Sequence, residues 1–187
     1  MKRFIPVTSL AIVAALVAPA LAQDKGAPPK PGKEHEFLKQ LEGEWEVRAK
    51  HMEPGHSGEE SRATESAQIS LGGFWLAFEH KGAYGKESYE GHGLMGYDPS
   101  KAKYVGTWVD SMSPHLTWFE GEADSSGKTL TFKTHGFDKS GKACEGRMTI
   151  QITDRDHHTI RFYKLDDQGK DVLGAEMTYT RKSAEIR

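Results

Sequence analysis

Two side chains with acid and base chemistry, Glu65 and His80, are predicted to lie opposite each other. Gly72-Gly73 separates two stretches of β character, which is typical of a two-residue hairpin loop. The apolar pairs set by this loop make one face of the hairpin the interior, and Glu65 and His80 share that face. The predicted pairs, from the loop outwards, are Leu71 with Phe74, Ile69 with Leu76, Ala67 with Phe78 and Glu65 with His80.

Glu65 and His80 allow two interpretations. A carboxylate and an imidazole can be buried when they form a hydrogen bond with each other, so Glu65 and His80 could be an internal ion pair. The same two groups could instead contact a ligand or exchange protons with it, provided that their geometry permits. Both interpretations place the pair inside the fold.

Three further side chains are candidate ligand contacts: His92, Thr107 and Trp118. Residues 87–97 and 103–110 are predicted strands, and each alternates between two faces that could both line a cavity. One face carries Tyr97, Tyr104 and Trp108, and the other carries His92, Leu94, Val105, Thr107 and Val109. Tryptophans such as Trp118 more often pack in a core or at a rim than against a cofactor.

The sequence predicts no metal site, no cofactor and no catalytic residue. None of its nine histidines has the spacing of a metal motif, and His157-His158 is predicted to be a surface pair in a turn. The glycines from Gly91 to Gly106 lack a phosphate-loop pattern and indicate strand bending or close packing instead.

Charge and cysteine content exclude some classes of protein. The formal net charge is −2 and acidic and basic residues are interspersed, so nucleic acid is not expected as a partner. Cys144 is the single cysteine and cannot form an intramolecular disulfide. It shares a strand face with Met148 and Ile150, which predicts a small buried side chain over the alternative of a reactive thiol.

The N-terminus predicts export. A basic start, an apolar run over residues 10–17 and Ala20-Leu21-Ala22 are typical of a secretory signal peptide at residues 1–22, cleaved after Ala22. The expected location is therefore secreted or periplasmic. Residues 23–33, rich in Pro, Gly and Lys, are a predicted flexible linker, and residues 34–187 form one domain. No later stretch is long and apolar enough to span a membrane.

The domain is predicted to be all-β. Residues 34–41 carry one apolar stripe typical of a short helix, and Trp45, Val47 and Ala49 then mark one face of the first strand. Short alternating strands joined by turns follow to the end of the chain. They favour a single antiparallel up-and-down β-barrel of about 8 to 10 strands over a sandwich, with the helix capping one end.

Several stretches together resemble the DUF1579 family, whose function is unknown, and more widely the calycin group that includes lipocalins. They are His35 to Leu41 with Gly43-x-Trp45, Leu71 to Trp75, Gly96-Tyr97-Asp98, Lys103 to Trp108, Asp110-Ser111-Met112 and Tyr179 to Lys182. The calycin resemblance implies that Trp45 packs at the closed end of the barrel against a basic residue of the last strand, Arg181. It brings no catalytic residues, and no haem-ligand motif of the nitrobindin kind is present.

Three functions remain open from the sequence. The first is a barrel that binds a small apolar ligand, since a barrel of this size either fills with side chains or encloses one small molecule. The second is an enzyme, such as an isomerase or hydrolase, that uses Glu65 and His80. The third is a filled barrel with a structural or protein-binding role. A cavity of roughly 300 Å³ or more would favour the first.

Overall fold

The structure is a computed structural model that describes residues 28–52, 58–84, 86–138, 140–166 and 168–183. The predicted signal peptide and residues 23–27 of the predicted linker lie outside the described residues. Residues 28–32 are exposed and have no regular secondary structure. Of the helical segments described, none is long and apolar enough to cross a membrane.

In the part of the chain that the structure describes, one short α-helix precedes ten strands, and a 3-10 turn at Leu71–Gly73 joins the second and third strands. The helix, α1, is His35–Leu41. The strands, in chain order, are β1 Gly43–His51, β2 Glu60–Ser70, β3 Trp75–Tyr84, β4 Glu87–Asp98, β5 Lys103–Asp110, β6 Ser113–Ala123, β7 Thr129–Phe137, β8 Ala143–Ile152, β9 His157–Leu165 and β10 Asp171–Arg181.

The ten strands form one closed antiparallel barrel. Each strand pairs with its neighbours in the sequence, and β1 closes the barrel by pairing with β10. Closure leaves no unpaired sheet edge, which removes the tendency of exposed edges to pair with other chains. The predicted all-β, up-and-down barrel with a short N-terminal helix is confirmed, at the upper end of the expected strand number.

The predicted register between β2 and β3 is confirmed, because Ile69 pairs with Leu76 and Glu65 with His80. The loop is longer than predicted, since Leu71 and Phe74 do not pair and the last pair is Ser70 with Trp75. The longer loop has the same centre in the chain, so the register is unchanged. Positive φ angles occur at consecutive residues of this loop: Leu71 at 50°, Gly72 at 76° and Gly73 at 91°.

The structure decides which face of β4 and β5 is interior. Met95 and Trp108 line the inside of the barrel, and Tyr104 is buried. Because side chains alternate along a strand, Tyr97 shares the inner face while Leu94 lies on the outer one.

Helix α1 closes one end of the barrel. Its apolar residues Phe37, Leu38 and Leu41 are buried and join the core, where Leu130 and Phe132 have no exposed surface. The helix packs against β2, β3 and β4. It ends where Glu42 becomes extended, so the chain leaves the cap directly into β1.

The prediction for Cys144 is wrong, because its side chain is exposed. Met148, Ile150 and Ile152 on the same strand face are buried, as predicted. Cys144 pairs with Gly136 next to the first pair of the β7–β8 ladder, at the end of the barrel opposite α1. Cys144 lies beyond the buried core of the barrel. Its position on the inward face of β8 therefore does not bury it.

Candidate functional site

A cavity of about 380 Å³ occupies the interior of the barrel. Its walls come from Leu41 of α1 and from every strand except β1. Much of the wall is apolar or aromatic, including Leu76, Phe78, Met95, Phe119, Ile160 and Phe162. The volume lies in the range of small-molecule sites in proteins.

One part of the wall is polar and is called here the Glu65 corner, formed by Glu65, His80 and Tyr179. His80 Nδ1 lies 3.2 Å from Glu65 Oε2, and the hydroxyl of Tyr179 donates to the same oxygen at 3.2 Å. The three residues come from β2, β3 and β10 and are 9%, 5% and 2% exposed. The protein therefore gives one oxygen of this buried carboxylate two partners, because a buried charge needs neighbours that bond to it.

The corner can form hydrogen bonds with a molecule in the cavity. The contact with Glu65 orients the imidazole of His80 through Nδ1, as carboxylates commonly do for histidine. Within the described ranges, no three His, Cys, Asp or Glu side chains are grouped to hold a metal ion. The chemistry that this geometry supports is hydrogen bonding to a polar group of a molecule in the cavity.

The structure brings Glu65 and His80 together but separates them from the other three predicted ligand contacts. His92, Thr107 and Trp118 do not line the cavity. The side chain of His92 is 51% exposed beside Glu79 and Glu90. Trp118 is 43% exposed and stacks on His135 of β7.

Strand alternation explains why these three residues lie outside the cavity. On β5, Trp108 points inward, so its neighbour Thr107 points outward and lies across from Trp118 in the pair between β5 and β6. On β6, Phe119 takes the inward position next to Trp118.

The structure also brings together the two residues that the calycin resemblance assigns to barrel closure. Trp45 is 1% exposed, and its indole N–H donates to the carbonyl oxygen of Leu41 at 3.0 Å. The guanidinium carbon of Arg181 lies 4.1 Å from the centre of the Trp45 ring. Arg181 also donates to the backbone carbonyl oxygens of Gln40, Glu42 and Arg155. It thereby fixes α1 to the last strand.

Gly43 allows this closure for two reasons. Its φ is 140°, a conformation that residues with a side chain rarely adopt. A Cβ atom at this position would also overlap the guanidinium of Arg181. A glycine at position 43 is therefore required for the contact between Trp45 and Arg181.

His158 is an interior residue that the sequence analysis missed. It is 3% exposed, lines the cavity and stacks on Tyr179 with the ring centres 4.2 Å apart. The surface pair predicted for His157-His158 is right only for His157, which lies outside and contacts Asp154 at 2.8 Å. The alternation of His158 with Ile160 and Phe162 along β9 was the signal that could have found it.

Burial shifts the pKa of three groups at or near the corner, His158, Tyr179 and Tyr89, in favour of their neutral forms. It lowers the pKa of His158 to about 3, with a further contribution from the positive charge of Arg181. Burial also raises the pKa of Tyr179 well above its usual value, and the nearby Glu65 carboxylate raises it further. The pKa of Tyr89 rises to about 12, first through burial and then through Asp110.

His158 predicts a specific loss of stability in acid. Because its folded pKa is depressed from 6.5 to about 3, the unfolded chain binds an extra proton between these pH values and stability falls as the pH drops through this window. At about pH 4.5 this group alone should cost about 2 to 3 kcal/mol relative to neutral pH. His158→Phe should lose that much less stability than the wild type between the two pH values, measured by urea unfolding. Equal losses in both proteins would show that His158 is not held neutral.

Two solved structures have a similar fold. The structure of Rv2717c from M. tuberculosis superimposes with a TM-score of 0.61, at 11% identity, over 81% of this chain and 99% of that one. The S-type phycobiliprotein lyase CPES from Guillardia theta has a TM-score of 0.54 at 16% identity, over 80% and 93% of the two chains. Such low identities establish the shared fold alone. The curated proteins include no match to this chain.

A family profile matches residues 30–181. The match contains α1 and all ten strands, and it ends at Arg181, which closes the barrel. It also contains every residue of the Glu65 corner. The family resemblance seen in the sequence is thus confirmed, and the chain belongs to the family described as protein of unknown function (DUF1579).

Proposed function

We propose that this protein binds a small, largely apolar molecule inside its barrel. The observation that carries the proposal is the cavity of about 380 Å³, with apolar walls and one polar corner. Ligand sites typically combine an apolar lining with a few polar groups that orient the bound molecule. The Glu65 corner supplies such groups, and Phe78, Trp108 and Phe162 supply aromatic surface.

The volume of the cavity argues against the filled-barrel alternative. Protein interiors are packed as densely as organic crystals, and the voids they contain are rarely larger than a water molecule. A space of about 380 Å³ is far larger than such a void. The similarity to other barrels concerns the fold alone, so the proposal depends on this cavity and its lining.

The proposed place of action is outside the cytoplasm. This part of the proposal rests on the sequence of residues 1–22, which has the basic, apolar and small-residue regions of a secretory signal. Cleavage after Ala22 would make Gln23 the first residue of the mature chain. The mass of the chain isolated from its native cells tests this directly.

A cavity-filling substitution tests the binding site. Thr134 lines the cavity, so Thr134→Trp should place an indole inside it and weaken binding of the neutral apolar dye Nile red by about tenfold or more. Thr107→Trp is the matched control, because it adds the same group on the outer face of the barrel. Dye fluorescence titrations of both variants and the wild type measure the effect, with thermal melts to verify folding.

Two results would overturn the proposal. The first is Nile red binding that is equally tight in the wild type and in a folded Thr134→Trp variant, since the dye would then bind elsewhere. The second is a loss of binding in Thr107→Trp alone, which would place the site on the outer face.

A further inference from the structure

The acidic and basic side chains that line the cavity do not balance each other in charge. Among the described residues that line it there is one carboxylate and no lysine or arginine. The ionisable lining residues are Glu65, His80, Tyr89, His158 and Tyr179. Arg181 packs against Trp45 at the end of the barrel that α1 closes. It does not line the cavity, and its N–H groups donate to backbone carbonyl oxygens. An anionic molecule inside the cavity would therefore find no cationic side chain of lysine or arginine to pair with.

The carboxylate of Glu65 is only partly satisfied by the protein. Both protein contacts, from His80 and from Tyr179, go to Oε2. The other oxygen, Oε1, receives no hydrogen bond from any residue that the structure describes. Because Glu65 is 9% exposed and lines the cavity, the interior is where a donor for Oε1 can come from. Oε1 therefore keeps acceptor capacity for a donor supplied by a bound molecule.

The aromatic surface next to this corner suits a cation. Phe78 and Trp108 stack with ring centres 5.8 Å apart, and Trp108 lies edge-on to His80 with the centres 6.3 Å apart. The faces of aromatic rings are electrostatically negative and attract positive charge. Tyr89 and Tyr179 are protonated at neutral pH, as tyrosines with an ordinary pKa of 10.0 already are, and burial raises the pKa of both hydroxyls further. They present neutral rings and no second negative charge.

We propose that the cavity selects amphiphilic amines, with the ammonium group donating to Glu65 Oε1 next to the rings of Phe78 and Trp108, and the apolar body lying against the rest of the apolar wall. This inference depends on the proposed function, since it names the class of ligand for the same cavity. A carboxylic acid of the same shape is disfavoured, because its anion would lie beside Glu65 without a lysine or arginine partner. A neutral alcohol of the same shape can still donate one hydrogen bond to Glu65.

Three probes that differ only in the terminal group test the selection. They are 4-phenylbutylamine, 4-phenylbutanol and 4-phenylbutyrate, each measured by displacement of Nile red at neutral pH. The amine should bind about tenfold or more tighter than the butyrate, a ratio typical of a hydrogen bond to a charged group, with the alcohol in between. Glu65→Gln should make amine and alcohol bind alike, because the amide keeps the shape of the side chain but not its charge.

The outcomes separate this inference from the function on which it depends. Butyrate binding as tightly as the amine in the wild type, or an amine preference that survives Glu65→Gln, would overturn the selection and leave the binding function standing. Failure of all three probes, the alcohol included, would overturn both. The comparison of probes on the wild type alone is decisive if the variant does not fold.

Discussion

Trp45→Ala is expected to lower the free energy of unfolding by about 3 to 5 kcal/mol, as truncation of a buried aromatic side chain typically does. Trp45 is 1% exposed, and three groups depend on it: the carbonyl of Leu41, the guanidinium of Arg181 and the ring of His158, whose centre lies 4.4 Å from that of Trp45. Its loss would open a space where α1, β1, β9 and β10 meet. Urea unfolding followed by circular dichroism measures the change.

Trp118→Ala is the matched control for this prediction. The same side chain is removed, but Trp118 is 43% exposed on the outer face and stacks mainly on His135. Its loss should cost less than about 1 kcal/mol, as for most surface positions. A cost for Trp45→Ala no larger than that of Trp118→Ala would show that the closure at α1 does not stabilise the barrel.

Glu65→Leu should destabilise the fold by about 3 kcal/mol or more, because it leaves two buried polar groups without their acceptor. Leucine has a similar volume, so the loss would come from the stranded His80 imidazole and Tyr179 hydroxyl rather than from a cavity. Tyr179→Phe removes a single hydrogen bond to Glu65 and should cost only about 1 kcal/mol.

Urea melts of these two variants and of Glu65→Gln distinguish an energetic role of the corner from mere proximity. The amide introduced by Glu65→Gln can still accept from both neighbours, so this variant should stay within about 1 kcal/mol of the wild type. A Glu65→Leu protein as stable as the wild type would mean that His80 and Tyr179 do not depend on the carboxylate.

The part of the site that the sequence predicted follows from the turn. Gly72-Gly73 and the apolar pairs beside it determine how β2 pairs with β3, and a slip of one residue would expose every apolar side chain of one strand. Glu65 and His80 therefore had to share the interior face, although the loop is longer than predicted. Tyr179, from the opposite end of the chain, could not be joined to them because turn geometry says nothing about distant strands.

The outward-facing candidates His92 and Thr107 show that strand patterns alone could not identify the interior face of β4 and β5. On β4 the interior face carries Gly91 and Gly93 between Tyr89 and Met95, while the outer face carries Leu94, so the apolar alternation is weak. The inward aromatic rings occupy the space above these glycines, a complementarity that only the assembled barrel shows. His92 and Thr107 were assigned without that information.

His158 was missed for a different physical reason. Two adjacent histidines that follow Asp154 and Asp156 are typical of a solvated turn, and one of the two, His157, does lie in solvent. His158 is instead covered by Trp45 and Tyr179 from β1 and β10. Tertiary packing of strands distant in the sequence thus overrides the local preference.

Native mass spectrometry of the protein isolated from its native cells tests most directly whether the barrel encloses a small molecule. The wild type and the Thr107→Trp variant should each carry one non-covalent adduct of the same defined mass, and the Thr134→Trp variant should carry none, because its indole occupies the cavity. A bare chain in all three proteins, or the same adduct in all three, would contradict binding inside the barrel.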